Sequence, residues 1–102
     1  MLGPMNQDIL DRGNWQGGFF GGRGLTLAEG LTDANMAEVR LKSKLAKVVR
    51  QVTVILDATK LGKVAFASCA SADLISCLVT SRTADKEIVA QFRDYGIEVI
   101  LA

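Results

Sequence analysis

The sequence contains no histidine among its 102 residues. This absence excludes serine and cysteine nucleophiles that rely on an imidazole base, zinc sites that need an imidazole ligand, and pH sensing by histidine. The two cysteines, Cys69 and Cys77, stand eight positions apart and lack the Cys-x-x-Cys spacing of metal knuckles and redox pairs. Each lies in a short apolar stretch, so we expect small buried thiols in a reduced, cytoplasmic protein rather than a disulfide.

Long apolar runs and a dominant sign of charge are also missing. Twelve Lys and Arg oppose eleven Asp and Glu, a net charge of +1, which argues against a uniformly basic nucleic-acid binder. No apolar stretch approaches the roughly 18 residues of a membrane span, and Met1–Pro4 lacks the basic region of a signal peptide. Yet 49% of the residues are hydrophobic, which is typical of a folded chain. The composition therefore predicts one soluble globular domain over residues 1–102, without membrane contact.

The order of the residues predicts an α/β layered fold, with a mainly parallel sheet flanked by helices. Val52–Leu56 is a nearly continuous, mostly β-branched run, which is typical of a strand covered on both faces. The other predicted segments are a short helix over Met5–Leu10, strands over Phe19–Phe20, Val64–Ala67 and Ile97–Leu101, and a helix over Thr83–Tyr95 that ends at Gly96. Leu74–Thr80 is a further apolar run.

A further helix is predicted after a turn at Gly30, and it has two distinguishable faces. Asn35 and Glu38 form a capping-box-like pair at its start. The apolar face carries Ala37, Leu41, Leu45 and Val48, and the polar face carries Glu38, Arg40, Lys42, Lys44 and Lys47. The basic residues suit a nucleic-acid backbone, but the balanced total charge favours a face exposed to water.

Two predicted loops leave the carboxyl ends of strands, where open parallel sheets bind ligands. Gly21–Gly24 is rich in glycine, which lets the backbone approach a ligand and present N–H donors. Asp57–Lys60 follows the strand Val52–Leu56. Arg23 and Lys60 suit a phosphate or carboxylate, and Asp57 suits a sugar hydroxyl or an ion pair with Lys60. Ordinary solvated turns have the same composition, so this alternative stays open.

Two nucleotide-binding motifs are absent. Gly22–Leu27 lacks the third glycine of the dinucleotide fingerprint, because Leu27 stands in its place. Gly62-Lys63 resembles the end of a phosphate-binding P-loop, but Asp57 replaces the first glycine and Val64 replaces the Ser or Thr. The sequence therefore predicts no nucleotide cofactor.

Taken in order, these segments resemble the carboxyl-terminal effector-sensing domain of DeoR-type bacterial transcriptional regulators. The most specific stretch is Leu56–Ala65, where the family typically has a run similar to Leu-Ala-Asp-Ser-Ser-Lys-Phe-Gly. The other matching stretches and residues are Gly3-Pro4, Phe20–Thr26, Gly30–Asn35, Glu38, Lys42, Leu78–Thr80 and Gly96–Ile100. The resemblance runs through nearly the whole chain but covers only the later half of the sensing domain. The helix-turn-helix and an early Ser/Gly/Thr phosphate loop have no counterpart in residues 1–102.

This resemblance implies a sensor of a phosphorylated sugar or similar anionic metabolite that binds rather than catalyses. It also implies the fold group of ribose-5-phosphate isomerase and the coenzyme A transferases, a homo-oligomer, and DNA contact only through the missing N-terminal domain. We expect no catalytic residue, metal or cofactor, and ligand binding by Gly22, Arg23, Gly24, Lys42, Asp57 and Lys60. Many family members carry an acidic residue in place of Arg23, so a basic residue there predicts a more anionic ligand.

Two other functions compete with the sensor. One is an isomerase-like sugar-phosphate enzyme that uses Asp57, Glu38 or Lys60 as acid or base groups. The other is an oligomerisation module that joins copies through an exposed sheet edge and an apolar face. Both the sensor and the module predict a homodimer or larger assembly, so ligand binding is what separates them.

Overall fold

The structure is a computed structural model that describes residues 17–102. Its strands are β1 (Gly17–Phe20), β2 (Gly24–Thr26), β3 (Gly30–Asp33), β4 (Gln51–Ile55), β5 (Ala67–Ala70), β6 (Ile75–Thr80) and β7 (Glu98–Leu101). Its helices are α1 (Met36–Val48) and α2 (Lys86–Tyr95), and two single 3-10 turns cover Ala58–Lys60 and Ala72–Leu74. The predicted helix over Met5–Leu10 lies outside the described residues.

Four strands form a parallel sheet in the order β1-β4-β6-β7, which confirms the predicted α/β class and the parallel pairing. One row of side chains crosses all four strands in register: Phe20, Val54, Leu78 and Val99. All four are buried, with α1 in contact with β1 and α2 in contact with β7. Burial of this apolar row is the main stabilisation of the sheet against the helices.

The opposite face of the parallel sheet is largely uncovered by residues 17–102. Its side chains, here called the open face, are Phe19, Thr53, Ile55, Cys77, Val79, Glu98 and Ile100, which alternate with the buried row. Phe19, Ile55 and Ile100 are 60%, 50% and 46% exposed. The expectation that the strand near Val52–Leu56 is covered on both faces is therefore wrong within the described part, where one face carries the core and the other does not.

A second, antiparallel sheet of β2, β3 and β5 was not predicted. Leu25 and Leu31 lie opposite each other in it, and both are fully buried. Gly30 is the first residue of β3 rather than a turn, with φ 72°, and a Cβ atom there would lie 2.0 Å from the Ala70 carbonyl oxygen. Only glycine fits this close approach of β3 to β5.

The strand predicted at Val64–Ala67 is displaced towards the carboxyl terminus, because β5 covers Ala67–Ala70. The preceding residues form a loop instead. The Ala65 N–H donates to Thr32 Oγ1 at 2.9 Å, and Thr32 Oγ1 in turn donates to the Gly24 carbonyl at 3.2 Å. These bonds fasten the loop to the antiparallel sheet, so the apolar residues Val64 and Phe66 stay exposed.

Helix α1 begins where its sequence predicts but buries a different face. Asn35 caps it by accepting from the Glu38 N–H at 3.1 Å. The buried positions are Val39, Lys42, Leu45 and Ala46, whereas Leu41 and Val48 are 44% and 49% exposed. Of the predicted apolar face, only Leu45 is buried, so that prediction is wrong at the other positions. The prediction that Lys42 belongs to a solvated face is also wrong. The reason is that Lys42 has buried polar partners.

Helix α2 starts at Lys86 rather than at the predicted Thr83. The Asp85 carboxylate accepts from the N–H groups of Glu87 and Ile88, which fixes the helix start. The predicted end at Gly96 is confirmed, since this residue adopts the left-handed conformation with φ 109°. The predicted strand at Ile97–Leu101 is confirmed within one residue as β7, and the apolar run Leu74–Thr80 contains β6.

The two faces of the parallel sheet predict different costs for two neighbouring truncations. Leu78 is fully buried, so Leu78→Ala should lower the free energy of unfolding by about 3 kcal/mol. Val79 is half-buried on the open face, so Val79→Ala should cost about 1 kcal/mol or less. Urea denaturation of both variants measures the difference, and equal losses would show that the open face is as well packed as the core.

Candidate functional site

A cavity of about 330 Å³ opens where the ends of three elements meet. The loop after β1, the end of β3 and the first turns of α1 supply its walls. Its lining residues are Gly22, Arg23, Asp33, Asn35, Glu38 and Lys42. We refer to it as the Lys42 pocket, and its volume suits a small metabolite.

The spacing of the residues on α1 explains how three of them reach the same cavity. Asn35 is the N-cap, and Glu38 and Lys42 follow at intervals of three and four residues, so the three side chains project from one face of the helix. Asp33 ends β3 two residues before the cap. The tight strand-to-helix connection therefore places a carboxylate directly beside the lysine.

Lys42 is the centre of the pocket wall and is only 2% exposed. Its Nζ donates to the Gly21 carbonyl at 2.6 Å and to Asp33 Oδ2 at 2.6 Å, and it lies 3.5 Å from Glu38 Oε2. The ammonium group therefore donates two hydrogen bonds within the fold and has a second carboxylate nearby. A buried charge persists only with such partners, because taking it out of water costs several kcal/mol.

Asp33 is held ionised by the same contacts. Burial favours the neutral acid, but the hydrogen bond from Lys42, the N–H groups of Ala34 and Asn35, and the positive charge of Lys42 together place the pKa of Asp33 below its ordinary value. Its Oδ1 accepts from Ala34 N at 2.7 Å, while its Oδ2 faces Lys42. Both oxygens are thus engaged within the fold.

The loop after β1 is fixed by its backbone. The Arg23 N–H donates to the Thr32 carbonyl at 2.9 Å. A Cβ on Gly22 would lie 2.7 Å from the Leu31 side chain and 2.8 Å from the Thr32 carbonyl oxygen, and one on Gly24 would lie 2.2 Å from the Lys63 carbonyl oxygen. Glycine at these two positions is therefore required by close contacts within the fold, whereas the sequence indicated a close approach to a ligand. Gly22 and Arg23 line the Lys42 pocket, whereas Gly24 is the first residue of β2.

Asp57 and Lys60, the other predicted site residues, lie outside the Lys42 pocket. They follow β4, which pairs with β1 through Val54 and Phe20, so they belong to the same edge of the parallel sheet as Gly22. Asp57 is exposed, and the hydrogen bond from the Thr59 hydroxyl, the largest cause, lowers its pKa. The structure thus brings three of the six predicted residues, Gly22, Arg23 and Lys42, into one cavity.

Three pocket residues were not assigned to the ligand site from the sequence. Glu38 was considered only as an acid or base group of the enzyme alternative. Asn35 was interpreted only as a helix cap, and Asp33 only as part of a matching stretch. Asp33 could have been found from its position in the sequence, nine residues before Lys42 and just ahead of the helix start. A lysine in the second turn of a helix can reach back to a residue that precedes the N-cap.

A second groove, of about 440 Å³, lies between α2 and the edge strand β7. Its charged residues are Arg82, Lys86, Arg93 and Asp94, and Ala84, Val89 and Leu101 contribute apolar surface. Arg93 also donates to the Val99 carbonyl at 3.1 Å. A charged side chain thus covers part of the edge strand β7, which opposes its pairing with a further strand. The groove is larger than the Lys42 pocket but contains none of the predicted site residues.

No group of three or more Cys, Asp or Glu side chains in residues 17–102 has the arrangement of a metal site. No helix within the same range is long and apolar enough to cross a membrane.

Comparison with known proteins gives a family match and several relatives. The family described as "DeoR C terminal sensor domain" matches residues 1–82. The HTH-type transcriptional regulator GolR of Listeria innocua is 38% identical over 84 residues, which is 82% of this chain and 33% of that protein. IolR of Bacillus subtilis is 30% identical over 101 residues, which is 99% of this chain and 40% of that protein. UlaR of Escherichia coli is 33% identical over 95 residues, which is 93% of this chain and 37% of that protein. IolR and UlaR are also described as HTH-type transcriptional regulators. This chain spans a third to two-fifths of the length of the three regulators.

The buried contacts of Lys42 predict a pH-dependent loss of stability in Lys42→Met. Removing the ammonium leaves Asp33 Oδ2 without its hydrogen-bond donor and the buried carboxylate without a neutralising charge, so the free energy of unfolding should fall by about 3 kcal/mol at neutral pH. In the native chain the pKa of Asp33 is lowered, so the stabilisation by this carboxylate is present at neutral pH and is lost as the pH falls through its folded pKa. The deficit of the variant should therefore stay constant near neutral pH and narrow below the ordinary aspartate pKa of 3.8, as the pH falls through the lowered pKa of Asp33.

Urea denaturation across this pH range measures the effect, and Lys44→Met is the matched control because Lys44 is an exposed lysine of the same helix. The control should cost about 0.5 kcal/mol or less. A Lys42→Met deficit that is equally small would contradict the assignment of a buried ion pair.

Proposed function

The chain belongs to the DeoR C-terminal sensor domain family, and from this premise we propose that it senses a small metabolite for a transcriptional repressor of carbohydrate metabolism. The ligand class we propose is a phosphorylated sugar or a similar anionic metabolite. The binding site we propose is the Lys42 pocket, with Asp57 and Lys60 on the same sheet edge as an extension for a longer ligand.

The observation that carries this proposal is the polar character of the Lys42 pocket. Two cationic side chains, two carboxylates, an amide and a glycine meet in a cavity of about 330 Å³. A sugar phosphate combines hydroxyl groups, which suit carboxylates and amides, with an anion, which suits a guanidinium or ammonium group. The lining thus matches both parts of such a ligand.

The position of the pocket supports a role in signalling. Its walls come from the loop after β1, the end of β3 and the start of α1, so a ligand that contacts all three favours one relative arrangement of these elements. A conformational equilibrium shifts only when the ligand binds one state more tightly than the other. We propose that such a shift reaches a helix-turn-helix domain outside residues 1–102, through which DNA is contacted.

The fold group of ribose-5-phosphate isomerase and the coenzyme A transferases remains part of this proposal. Support for it comes from the parallel sheet and from the position of the pocket at the carboxyl edge of that sheet. The enzyme alternative gains less support. Of its acid and base groups, Glu38 lines the Lys42 pocket, whereas Asp57 and Lys60 do not. The relatives are transcriptional regulators, which favours binding without catalysis.

We further propose that two copies of the chain associate through the open face. Parallel sheets are covered on both faces in folded proteins, and residues 17–102 leave Phe19, Ile55 and Ile100 exposed. With about 4.8 Å between strands and about 3.3 Å per residue, the face measures about 19 Å by 13 Å. This area is below the ~800 Å² per partner of a standard interface, so we expect a weak, concentration-dependent dimer.

Ligand binding is tested by calorimetry of the whole chain with pentose and hexose phosphates, each beside its unphosphorylated parent sugar. We expect saturable binding of at least one phosphorylated sugar, without conversion to an isomer, because the pocket holds groups for both the anion and the hydroxyls. Isomer conversion would favour the enzyme, and heats of dilution alone across the panel would contradict the sensor. Lys60→Ala is expected to weaken binding, and unchanged affinity would confine the site to the Lys42 pocket.

Self-association is tested by light scattering over a range of micromolar concentrations. We expect the average mass to rise from one chain towards two, and Ile100→Asp to hold the protein as a monomer by placing a charge on the open face. Leu41→Asp is the matched control, since Leu41 is 44% exposed on α1 and Ile100 is 46% exposed. A native chain that stays monomeric, or equal effects of both variants, would exclude this interface.

A further inference from the structure

The two cations of the Lys42 pocket differ in whether their charged groups are already bonded within the fold. Lys42 directs its ammonium group to Gly21, Asp33 and Glu38 and is 2% exposed. Arg23 is exposed, and no hydrogen bond or ion pair within residues 17–102 engages its guanidinium. In this part of the chain Arg23 is therefore the pocket cation whose charge is free to bind a ligand.

The backbone around Arg23 is nevertheless fixed. Its N–H is bonded to the Thr32 carbonyl, and the steric contacts of Gly22 and Gly24 with β3 and with Lys63 prevent larger residues on either side. The guanidinium thus extends from a defined point on the pocket rim. Such a group presents its N–H donors in a planar fork that matches two oxygens of a phosphate or carboxylate.

The two carboxylates of the pocket differ in the same way, since one is bonded within the fold and the other is exposed. Asp33 accepts from Lys42 and from the backbone N–H groups of Ala34 and Asn35, so its oxygens are engaged. The Glu38 side chain is 47% exposed and lies at the longer distance of 3.5 Å from Lys42. Glu38 is thus the carboxylate that is open to ligand hydroxyl groups, on the same cavity wall as Asn35.

We propose that Arg23 is the specificity-determining residue of the Lys42 pocket: it binds the anionic group of the ligand and selects a phosphorylated or carboxylated polyol over a neutral one. Lys42 is a positioning residue that acts through the Gly21 carbonyl and Asp33. This inference rests on the proposed function, because it concerns the ligand of the same site. It goes beyond that proposal, which left the anion to either cation of the pocket, by assigning charge selection to the exposed arginine alone.

The test measures selectivity, defined as the ratio of the affinities for a sugar phosphate and for its parent sugar, in the whole chain. Ribose 5-phosphate, ribonate and ribose are one such set of probes, and the corresponding hexose compounds are another. Arg23→Gln should weaken binding of the phosphate and carboxylate probes at least tenfold and change binding of the neutral sugar less than twofold. Arg23→Glu should reverse the preference. The two anionic probes show whether phosphate or carboxylate is preferred.

Two matched variants separate charge selection from a general loss of structure. Arg40→Gln removes an exposed arginine of α1 that does not line the pocket and should leave all affinities unchanged. Lys42→Met should weaken the anionic and neutral probes by similar factors, so that the ratio stays constant. Lys42→Arg retains the charge and is the second variant if Lys42→Met does not fold.

The outcomes distinguish this inference from the proposed function. If the native chain binds an anionic probe and Arg23→Gln keeps the native selectivity, Arg23 does not select the charge, but the sensor proposal stands. The assignment is equally overturned if Lys42→Met or Lys42→Arg abolishes selectivity while Arg23→Gln does not. If the native chain binds none of the probes, both the sensor proposal and the role of Arg23 are overturned.

Discussion

The contact of Lys42 with Asp33 and the Gly21 carbonyl is the interaction on which the site depends. It joins the loop after β1, the end of β3 and the second turn of α1 through one buried ammonium group. Because an isolated buried charge is strongly unfavourable, the three elements cannot separate without exposing or orphaning it. The contact therefore sets the shape of the adjacent cavity. Arg23 and Glu38 take no part in the hydrogen bonds of this contact and line the cavity.

The same lysine marks the limit of what periodicity in the sequence can predict. Lys42 was placed with the polar residues of its helix, since hydropathy counts every lysine as a surface residue. In the structure it points inwards, and the buried face of α1 turns towards Val39 and Ala46, leaving Leu41 and Val48 exposed. A pattern of apolar residues cannot show that a cation has buried acceptors, because those acceptors come from residues far apart in the sequence.

Local signals were nevertheless sufficient for much of the parallel sheet. Runs of β-branched residues located β4, β6 and β7, and the caps Asn35 and Gly96 lie where the sequence places them. The antiparallel sheet was missed because its strands β2, β3 and β5 have only three or four residues each and depend on long-range pairing. For the site, the glycine-rich loop and Lys42 were predicted, whereas Asp33 was missed, since its role arises only from the tertiary contact. The strand pattern indicated a sheet covered on both sides and therefore missed the open face, whereas the oligomerisation alternative had predicted an exposed apolar face.

The fold thus separates two requirements within one cavity. Lys42 and Asp33 hold the walls together, and Arg23, Glu38 and the side-chain amide nitrogen of Asn35 remain available to a ligand. The measurement that tests this account most directly is an amide proton–nitrogen NMR titration of the whole chain with the tightest-binding sugar phosphate. The account predicts that the largest shifts occur at Gly22, Arg23, Asn35 and Glu38. Shifts concentrated in the groove between α2 and β7, around Arg82 and Lys86, would contradict it.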